Sequence, residues 1–191
     1  MNDPDATETM FSADFDGLEA GDSYRSEACP IASRDVLMFA ALTGDEHPIH
    51  VDARWAEESG PFGRRIAHGM LVLSCAVGVL PLDPDRVIAL RRIRDAVFKR
   101  PVAVDEAIVV DCVVSGLKPL DSKTGLVECE WRISGEDGRL RSRATVEIVW
   151  RRGGPSRGPE PSAAATVRRG EQGDELAPVQ VSAADDVRVL I

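Results

Sequence analysis

Cysteine is sparse in this sequence of 191 residues, and no two cysteines form a Cys-x-x-Cys pair. Closely paired cysteines are typical of structural zinc sites, and dense cysteine frameworks are typical of small secreted domains. Their absence favours reduced thiols in the core of a cytoplasmic protein. The four cysteines assigned to that core are Cys29, Cys75, Cys112 and Cys129.

The sequence also lacks a membrane-length hydrophobic run and an excess of positive charge. Its longest apolar run, Gly69 to Leu80, is well short of the roughly 20 residues that a membrane helix needs. The N-terminus carries Asp3, Asp5 and Glu8 and shows no signal-peptide pattern. With a net charge of −9, the chain has no overall basic character of the kind that phosphate-backbone binders show. We therefore expect neither a membrane protein nor a nucleic-acid-binding protein.

What is present is the composition of an ordinary globular domain, 43% hydrophobic and 29% charged. In the first part of the chain, Ser33 is a suitable N-cap for a helix over residues 34–42, which Gly44 would end. The run from Gly69 to Leu80 is apolar on all sides, which predicts a buried helix. The segment Asp45 to His50 between these helices is expected to be a loop.

In the second part of the chain, apolar and polar residues alternate in the way that is typical of β-strands. Asp137-Gly138 is a hairpin signal between the last two of them, and a weaker first strand is expected between residues 18 and 31. The order of elements predicts an α+β fold, with a long central helix wrapped by an antiparallel sheet of about five strands. The four clear strands, joined by short turns, are predicted at residues 86–97, 107–114, 127–133 and 140–150.

Composition also suggests how the chain is divided. Residues 1–13 are polar and acidic, which predicts a frayed N-terminus. Residues 14–150 hold all the predicted elements and form the single domain. Residues 151–191 lack aromatics and are rich in glycine, proline and clustered charge, which predicts a disordered tail.

The candidate chemistry lies around a proline turn. All three histidines of the chain occur between residues 47 and 68. Asp45 and His50 flank Pro48, and an aspartate and an imidazole that share one water suit general acid/base catalysis at neutral pH. Gly69 opens the apolar helix, whose unpaired N–H groups can polarise a carbonyl oxygen. The alternative is structural, with Asp45 as a cap and His50 as a hydrogen-bonded loop histidine.

Three motifs then resemble a known family. They are Gly-Asp-Glu-His-Pro-Ile-His-Val-Asp at residues 44–52, Phe-Gly-Arg-Arg-Ile-Ala-His-Gly-Met at 62–70, and Phe-Lys-Arg-Pro-Val at 98–102. Together they resemble the MaoC-like (R)-specific enoyl-CoA hydratases, and the resemblance covers roughly residues 30–150. It implies a single hot-dog fold.

The resemblance also implies the roles of individual residues. Asp45 and His50 would be catalytic and would activate a water that adds to C3 of a trans-2-enoyl thioester, giving the (3R)-hydroxyacyl thioester. The backbone N–H of Gly69 would stabilise the enolate oxygen. Ala67, His68 and His47 are the further predicted substrate-binding residues. For His68, a structural role as a helix-entry histidine bonded to the backbone is the alternative.

Three positions differ from the family pattern. His47 replaces the usual asparagine, Val104 replaces a glycine before Asp105, and Val77 replaces a serine that some members carry. Two other functions therefore stay open. One is a hot-dog thioesterase acting on the same kind of thioester, and the other is a non-catalytic partner subunit.

The expected partners follow from the resemblance: a homodimer, and a substrate carried on coenzyme A or on an acyl carrier protein. No metal-ligand cluster and no phosphate-cradling glycine loop is recognised, so neither a metal nor a separate cofactor is expected. Asp52 is expected to cap a short helix over residues 53–58. The arginines are expected to form a solvated face, of which a subset can bind carrier phosphates: Arg64, Arg65, Arg91, Arg92, Arg94 and Arg100.

Overall fold

The fold follows from a computed structural model, which describes residues 9–153. Two short strands come first, four helices follow, and four long strands come last, as the sequence predicts. The helices are α1 Ser33–Thr43, α2 Pro48–Val51, α3 Ala53–Glu58 and α4 Gly69–Gly78, and the strands are β1 Ser23–Arg25, β2 Cys29–Pro30, β3 Val87–Phe98, β4 Ala107–Pro119, β5 Thr124–Gly135 and β6 Leu140–Arg151.

The strands form one antiparallel sheet with the order β1-β4-β5-β6-β3, and β2 follows β1 along the same edge of β4. Six strands thus occupy five positions, in agreement with the predicted α+β sheet. The expectation that all four long strands are joined by short turns is wrong for β3. This strand pairs with β6 at the far edge, so the connection over residues 99–106 crosses the sheet before β4 begins.

The core lies between α4 and one face of the sheet. Helix α4 contributes Leu71, Val72 and Ala76 to it, all buried. On β5, Val127 to Ile133 alternate as predicted, with every second side chain buried because successive residues of a strand face opposite sides. All four cysteines are buried in the core, as expected, and none forms a disulfide bond within residues 9–153.

Helix α4 differs from the prediction in two ways. It ends at Gly78, so it has 10 residues and is about 15 Å long, shorter than the apolar run that predicts it. It is also not buried on all sides, because Met70 is 56% exposed and Ser74, one turn further on, is exposed. An apolar sequence therefore does not distinguish the covered face of this helix from the open one.

The cap of α1 is shifted by one residue. Ala32 is the N-cap and Ser33 is the first helical residue, so the predicted cap is wrong. The first turn is closed instead by Asp35, whose Oδ2 accepts a hydrogen bond of 3.0 Å from the Ala32 N–H. Gly44 ends the helix as predicted, with a φ of 76° that favours glycine.

The N-terminal boundary is also corrected. Residues 9–13 were expected to fray, but Met10–Ser12 form a 3-10 turn, and Phe11 is fully buried against Trp150 with ring centroids 5.9 Å apart. The indole Nε1–H of Trp150 donates to the Ala13 carbonyl at 2.9 Å. At the other end β6 continues to Arg151, and the rest of the expected tail, residues 154–191, lies outside the described residues, as do residues 1–8.

Candidate active site

The segment predicted as a loop contains a helical turn. Pro48 occupies the first position of α2, where its fixed φ suits a helix start and its missing N–H costs nothing. His47 is the N-cap, and its Nδ1 accepts a hydrogen bond of 3.3 Å from the Ile49 N–H. The turn places His50 at its third position. The prediction of a loop is therefore wrong for residues 48–50.

Asp45 is held at the other end of this turn by Thr43. The Thr43 hydroxyl donates to the Phe39 carbonyl at 2.7 Å and accepts from the Asp45 N–H at 3.3 Å. Together with the left-handed Gly44, this pair of bonds fixes the backbone just before the aspartate. Among residues 9–153 the Asp45 carboxylate itself accepts no hydrogen bond and forms no ion pair, so it is available to a ligand.

The histidine rings are oriented by backbone carbonyls. The His50 Nδ1 lies 2.8 Å from the Ile66 oxygen, and the His68 Nε2 lies 2.9 Å from the Asp45 oxygen. A carbonyl oxygen only accepts, so each of these nitrogens carries the proton. The lone pairs are therefore on Nε2 of His50 and on Nδ1 of His68. The two rings stack with their centroids 3.8 Å apart.

The structure brings Asp45 and His50 together. One carboxylate oxygen of Asp45 and one ring nitrogen each of His50 and His68 lie within 4.8 Å of one another. A single water molecule can span such a distance between a carboxylate and an imidazole. The predicted catalytic pair thus has the geometry that a shared water requires.

The pKa of His50 is lowered from its usual value, first because partial burial disfavours the charged ring. The bond to the Ile66 carbonyl opposes this effect, the nearby His68 ring adds to it, and the Asp45 carboxylate opposes it. The neutral form therefore predominates at neutral pH, which leaves the His50 Nε2 lone pair ready to accept a proton.

A cavity of about 730 Å³ opens at this pair. Asp45 and His50 lie on its wall together with Gly69, the first residue of α4, whose N–H has no acceptor within the helix. Most of the remaining lining is apolar, including the rings of Phe39 and Phe98. The cavity thus combines a proton acceptor, a helix-terminal donor and room for an apolar group.

Of the three other predicted substrate-binding residues, two line the cavity and one does not. Ala67 and His68 line the cavity, whereas His47 does not and turns its ring edge-on to Trp55 at 5.9 Å. His68 is 2% exposed, and the backbone bond described above agrees with its structural alternative. Asp52 caps α3 as predicted, with its Oδ1 accepting from the Trp55 N–H at 2.9 Å.

Sequence reasoning missed most of the cavity lining, including Phe39, Thr43, Phe98 and Ser142. A signal was available for the last of them. Strand β6 places its even-numbered residues inward, and Ser142 is the polar exception in a series that continues with Ala144 and Val146.

The expectation that no metal-ligand cluster exists needs correction, because Asp45, His50 and His68 offer ligand atoms within 4.8 Å of one another. The spacing of these residues along the chain matches no common metal motif, which is why the sequence did not reveal the cluster. The stacking of the rings does not suit a shared ion. A metal lies in the plane of a coordinating imidazole, and two rings stacked at 3.8 Å direct their lone pairs side by side.

The cationic side chains considered for binding carrier phosphates differ in their positions and partners. Arg91, Arg92 and Arg94 contact the buried Glu147 and lie away from the cavity. Lys99 and Arg100 line the cavity itself. Other members of the predicted set lie elsewhere: Arg65 donates to the Ser33 hydroxyl at 2.7 Å, and Arg64 lines a neighbouring cavity of about 620 Å³.

Within residues 9–153, none of the helices has the length and apolar character needed to cross a membrane. The longest of the four, α1, has 11 residues.

Comparison with known proteins bears on the family and the fold. A 3-hydroxybutyryl-CoA dehydratase of Methylorubrum extorquens is 30% identical over 139 residues, which cover 70% of this chain and 83% of the relative. An (R)-specific enoyl-CoA hydratase of Rhodospirillum rubrum is 32% identical over 108 residues, 55% of this chain and 72% of the relative.

Solved structures give the same result. A monoamine oxidase regulatory protein from Archaeoglobus is similar with a TM-score of 0.69 at 30% identity, over 74% of this chain and 96% of the other. An unliganded R-hydratase from Pseudomonas aeruginosa is similar with a TM-score of 0.62 at 25% identity, over 88% and 96%. A protein from Mycobacterium tuberculosis described as a double hot-dog fold reaches 0.65 at 22% identity, over 84% and 53%, which bears on the fold alone.

The predicted hot-dog fold is therefore confirmed, and so is the family resemblance. The family model described as MaoC like domain matches residues 17–133, which include α1 to α4 and the whole segment from Asp45 to His50. The chain belongs to the MaoC-like domain family.

Proposed function

We propose that this protein is a hydro-lyase that adds water to a 2-enoyl thioester, or removes it from the (3R)-hydroxyacyl thioester. The observation that carries the proposal is the meeting of Asp45 and the neutral His50 at one cavity with the amide that opens α4. The relatives named as dehydratases and hydratases, at about 30% identity, support the same chemistry. The (R) stereochemistry rests on the second of these relatives.

The proposed reaction uses only groups of this chain. A water bound between the Asp45 carboxylate and the His50 Nε2 attacks C3, and its proton passes to Nε2 while the new C–O bond forms. The electron pair of the C2–C3 double bond moves toward the thioester and gives an enolate. Its oxygen is stabilised by the Gly69 N–H, and C2 then receives a proton from the Asp45–His50 pair. Dehydration is the reverse sequence.

The site suits a thioester on a phosphate-bearing carrier arm. Lys99 and Arg100 are exposed where the cavity opens, and among residues 9–153 neither is paired with a carboxylate. A guanidinium and an ammonium at the opening favour an anionic carrier such as coenzyme A or the pantetheine of a carrier protein. The apolar lining behind them suits an acyl group.

The proposed functional unit is a homodimer. Strand β3 pairs only with β6 among the described strands, so its other edge is open. This strand also exposes large apolar side chains, namely Ile88, Leu90 and Ile93. An unprotected apolar edge strand is a surface that pairs with another chain. Light scattering of the full chain tests this, and a monomeric mass across working concentrations would contradict it.

The direct test is to mix the protein with trans-2-enoyl-CoA esters of several chain lengths and follow the loss of the conjugated enoyl absorbance. Asp45→Asn and His50→Gln should each reduce the rate by about 10²-fold or more. Arg54→Gln, on the exposed side of α3, is the control and should have no effect. Release of free thiol without a hydroxyacyl product would identify a thioesterase instead. If no carrier gives a hydroxyacyl product, a free thiol or a fall in the enoyl absorbance, the result would point to a non-catalytic subunit.

A further inference from the structure

The cavity lining includes a serine, Ser142, that has no role in the proposed reaction. Ser142 is 1% exposed and lines the cavity. Its hydroxyl is buried and, among residues 9–153, has no hydrogen-bond partner. A hydroxyl that is withdrawn from water without a partner loses free energy, and such groups in native proteins usually have a function.

The sheet register shows where this hydroxyl lies. Ser142 on β6 is paired with Phe98 on β3, and directly paired residues of antiparallel strands place their side chains on the same face. The Phe98 ring also covers Gly69, because a methyl group added to that glycine would lie 2.8 Å from the ring. Ser142 therefore lies beside the ring that covers the start of α4.

The surroundings of Ser142 distinguish it from the polar groups at the opening. Lys99 and Arg100 are exposed, whereas Ser142 is enclosed on the inward face of the sheet with Val72 and Val102 as other buried lining residues. A carrier arm held by the exposed cations would leave the enclosed region to the acyl group. The hydroxyl would then meet an atom of the acyl chain and not an atom of the carrier.

We propose that Ser142 is a specificity-determining residue whose hydroxyl bonds an oxygen carried by the acyl chain, so that the preferred substrates are thioesters with a keto or hydroxyl group beyond the reacting carbons. This inference rests on the proposed function for the identity of the thioester. A hydroxyl both donates and accepts, so it can bond either oxygen type. A plain alkyl chain offers this hydroxyl no hydrogen-bond partner.

The test measures the binding of saturated esters, which the proposed reaction cannot convert. Saturated acyl-CoA esters of equal length are prepared plain and with a keto group at successive chain positions, and their dissociation constants are measured by calorimetry. For one keto position, the wild type should bind about tenfold more tightly than it binds the plain ester, the gain of one well-formed hydrogen bond. Ser142→Ala should bind both esters equally. Ser134→Ala, which removes a buried serine on β5 outside the cavity, should keep the preference.

A thermal unfolding measurement of the free proteins checks the premise. Ser142→Ala should be at least as stable as the wild type, because it removes an unpaired buried hydroxyl. A clear loss of stability would mean that the hydroxyl already has a structural partner, and the inference would fall. Equal binding of plain and keto esters by the wild type, or a preference that survives in Ser142→Ala, would overturn it as well.

The outcomes separate this inference from the proposed function. Rapid hydration of plain enoyl esters without any keto preference would refute the role of Ser142 and leave the hydratase standing. A keto preference lost in Ser142→Ala, without hydration of any enoyl ester, would support the binding role and refute the hydratase. If no thioester binds at all, both proposals are wrong.

Discussion

A single methyl group at Gly69 gives a sharp test of how the cavity works. In Gly69→Ala the new Cβ would lie 2.8 Å from two atoms of the Phe98 ring, and the ring must retreat by about 0.6 Å to reach the 3.4 Å of ordinary contact. The ring is the far end of a flexible side chain and is 49% exposed, so it can move. We therefore expect a stability loss below about 1 kcal/mol.

Activity should respond much more strongly than stability. The Gly69 N–H is retained, but the methyl group and the displaced ring occupy the space beside it where a thioester oxygen would bind. A misplacement of this size should lower kcat/KM by roughly 10- to 100-fold, or about 1.4–2.7 kcal/mol. The assay is enoyl-CoA hydration together with thermal unfolding of the same samples.

Matched variants make the result interpretable. Gly78→Ala adds a methyl group at the other end of α4, where no atom of residues 9–153 beyond the adjoining helix backbone lies within 4 Å, and should leave both activity and stability nearly unchanged. Gly69→Ala combined with Phe98→Ala should recover part of the lost activity, because the steric conflict is removed. Full activity in Gly69→Ala alone would refute the assignment of this amide to the reacting oxygen.

Three further predictions concern charge and packing. The rate should rise with pH through a His50 pKa below 6.5, because the neutral ring is the proton acceptor. Asp45→Asn should shift the NMR titration of His50 to still lower pH, since the Asp45 carboxylate raises the His50 pKa. Glu147→Gln should lower the free energy of unfolding in urea by about 1–3 kcal/mol, because it leaves three neighbouring arginines without their buried counter-charge. Gly125→Ala should cost a similar amount by thermal unfolding, since its Cβ would lie 2.3 Å from the buried Phe15 ring.

Controls separate these effects from general damage. The pH profile should be repeated with His47→Gln, which changes a ring outside the cavity lining and should leave an inflection near that of the wild type. Glu58→Gln on exposed α3 is the reference for losing a carboxylate, and Gly116→Ala, whose Cβ would have ordinary contacts only, is the reference for a strand glycine. A rate that falls as the pH rises from 5 to 7 would contradict the role of His50 as base.

The sequence was most informative where local chemistry decides the structure. Gly44 ends α1, Asp52 caps α3, and the alternation on β5 gives its buried face, because each feature depends on neighbouring residues only. The place of β3 at the far edge was not predictable in this way, since it depends on which strand it meets after a long connection. The open face of α4 was missed for a related reason, because its sequence is apolar whether or not a neighbour covers it.

The candidate site was also predicted only in part. The family motif pointed to Asp45 and His50, and the structure brings them to one cavity. The resemblance also predicted His47 as a substrate-binding residue, yet its cap position turns its side chain back onto its own helical turn. Phe98 and Ser142 lie on β3 and β6, which are far apart in the chain, and the sequence does not reveal that these two strands pair.

The hydrogen bond from His68 to the Asp45 carbonyl has a consequence for how the motifs at residues 44–52 and 62–70 move relative to each other. His68 directly precedes the amide at the start of α4, so one imidazole ties the peptide of the acid to the residue that begins the helix. A single side chain thus links the Asp45 backbone to the start of α4. A displacement of the helix start would pull on the aspartate, so the two parts of the proposed reaction centre would tend to move together.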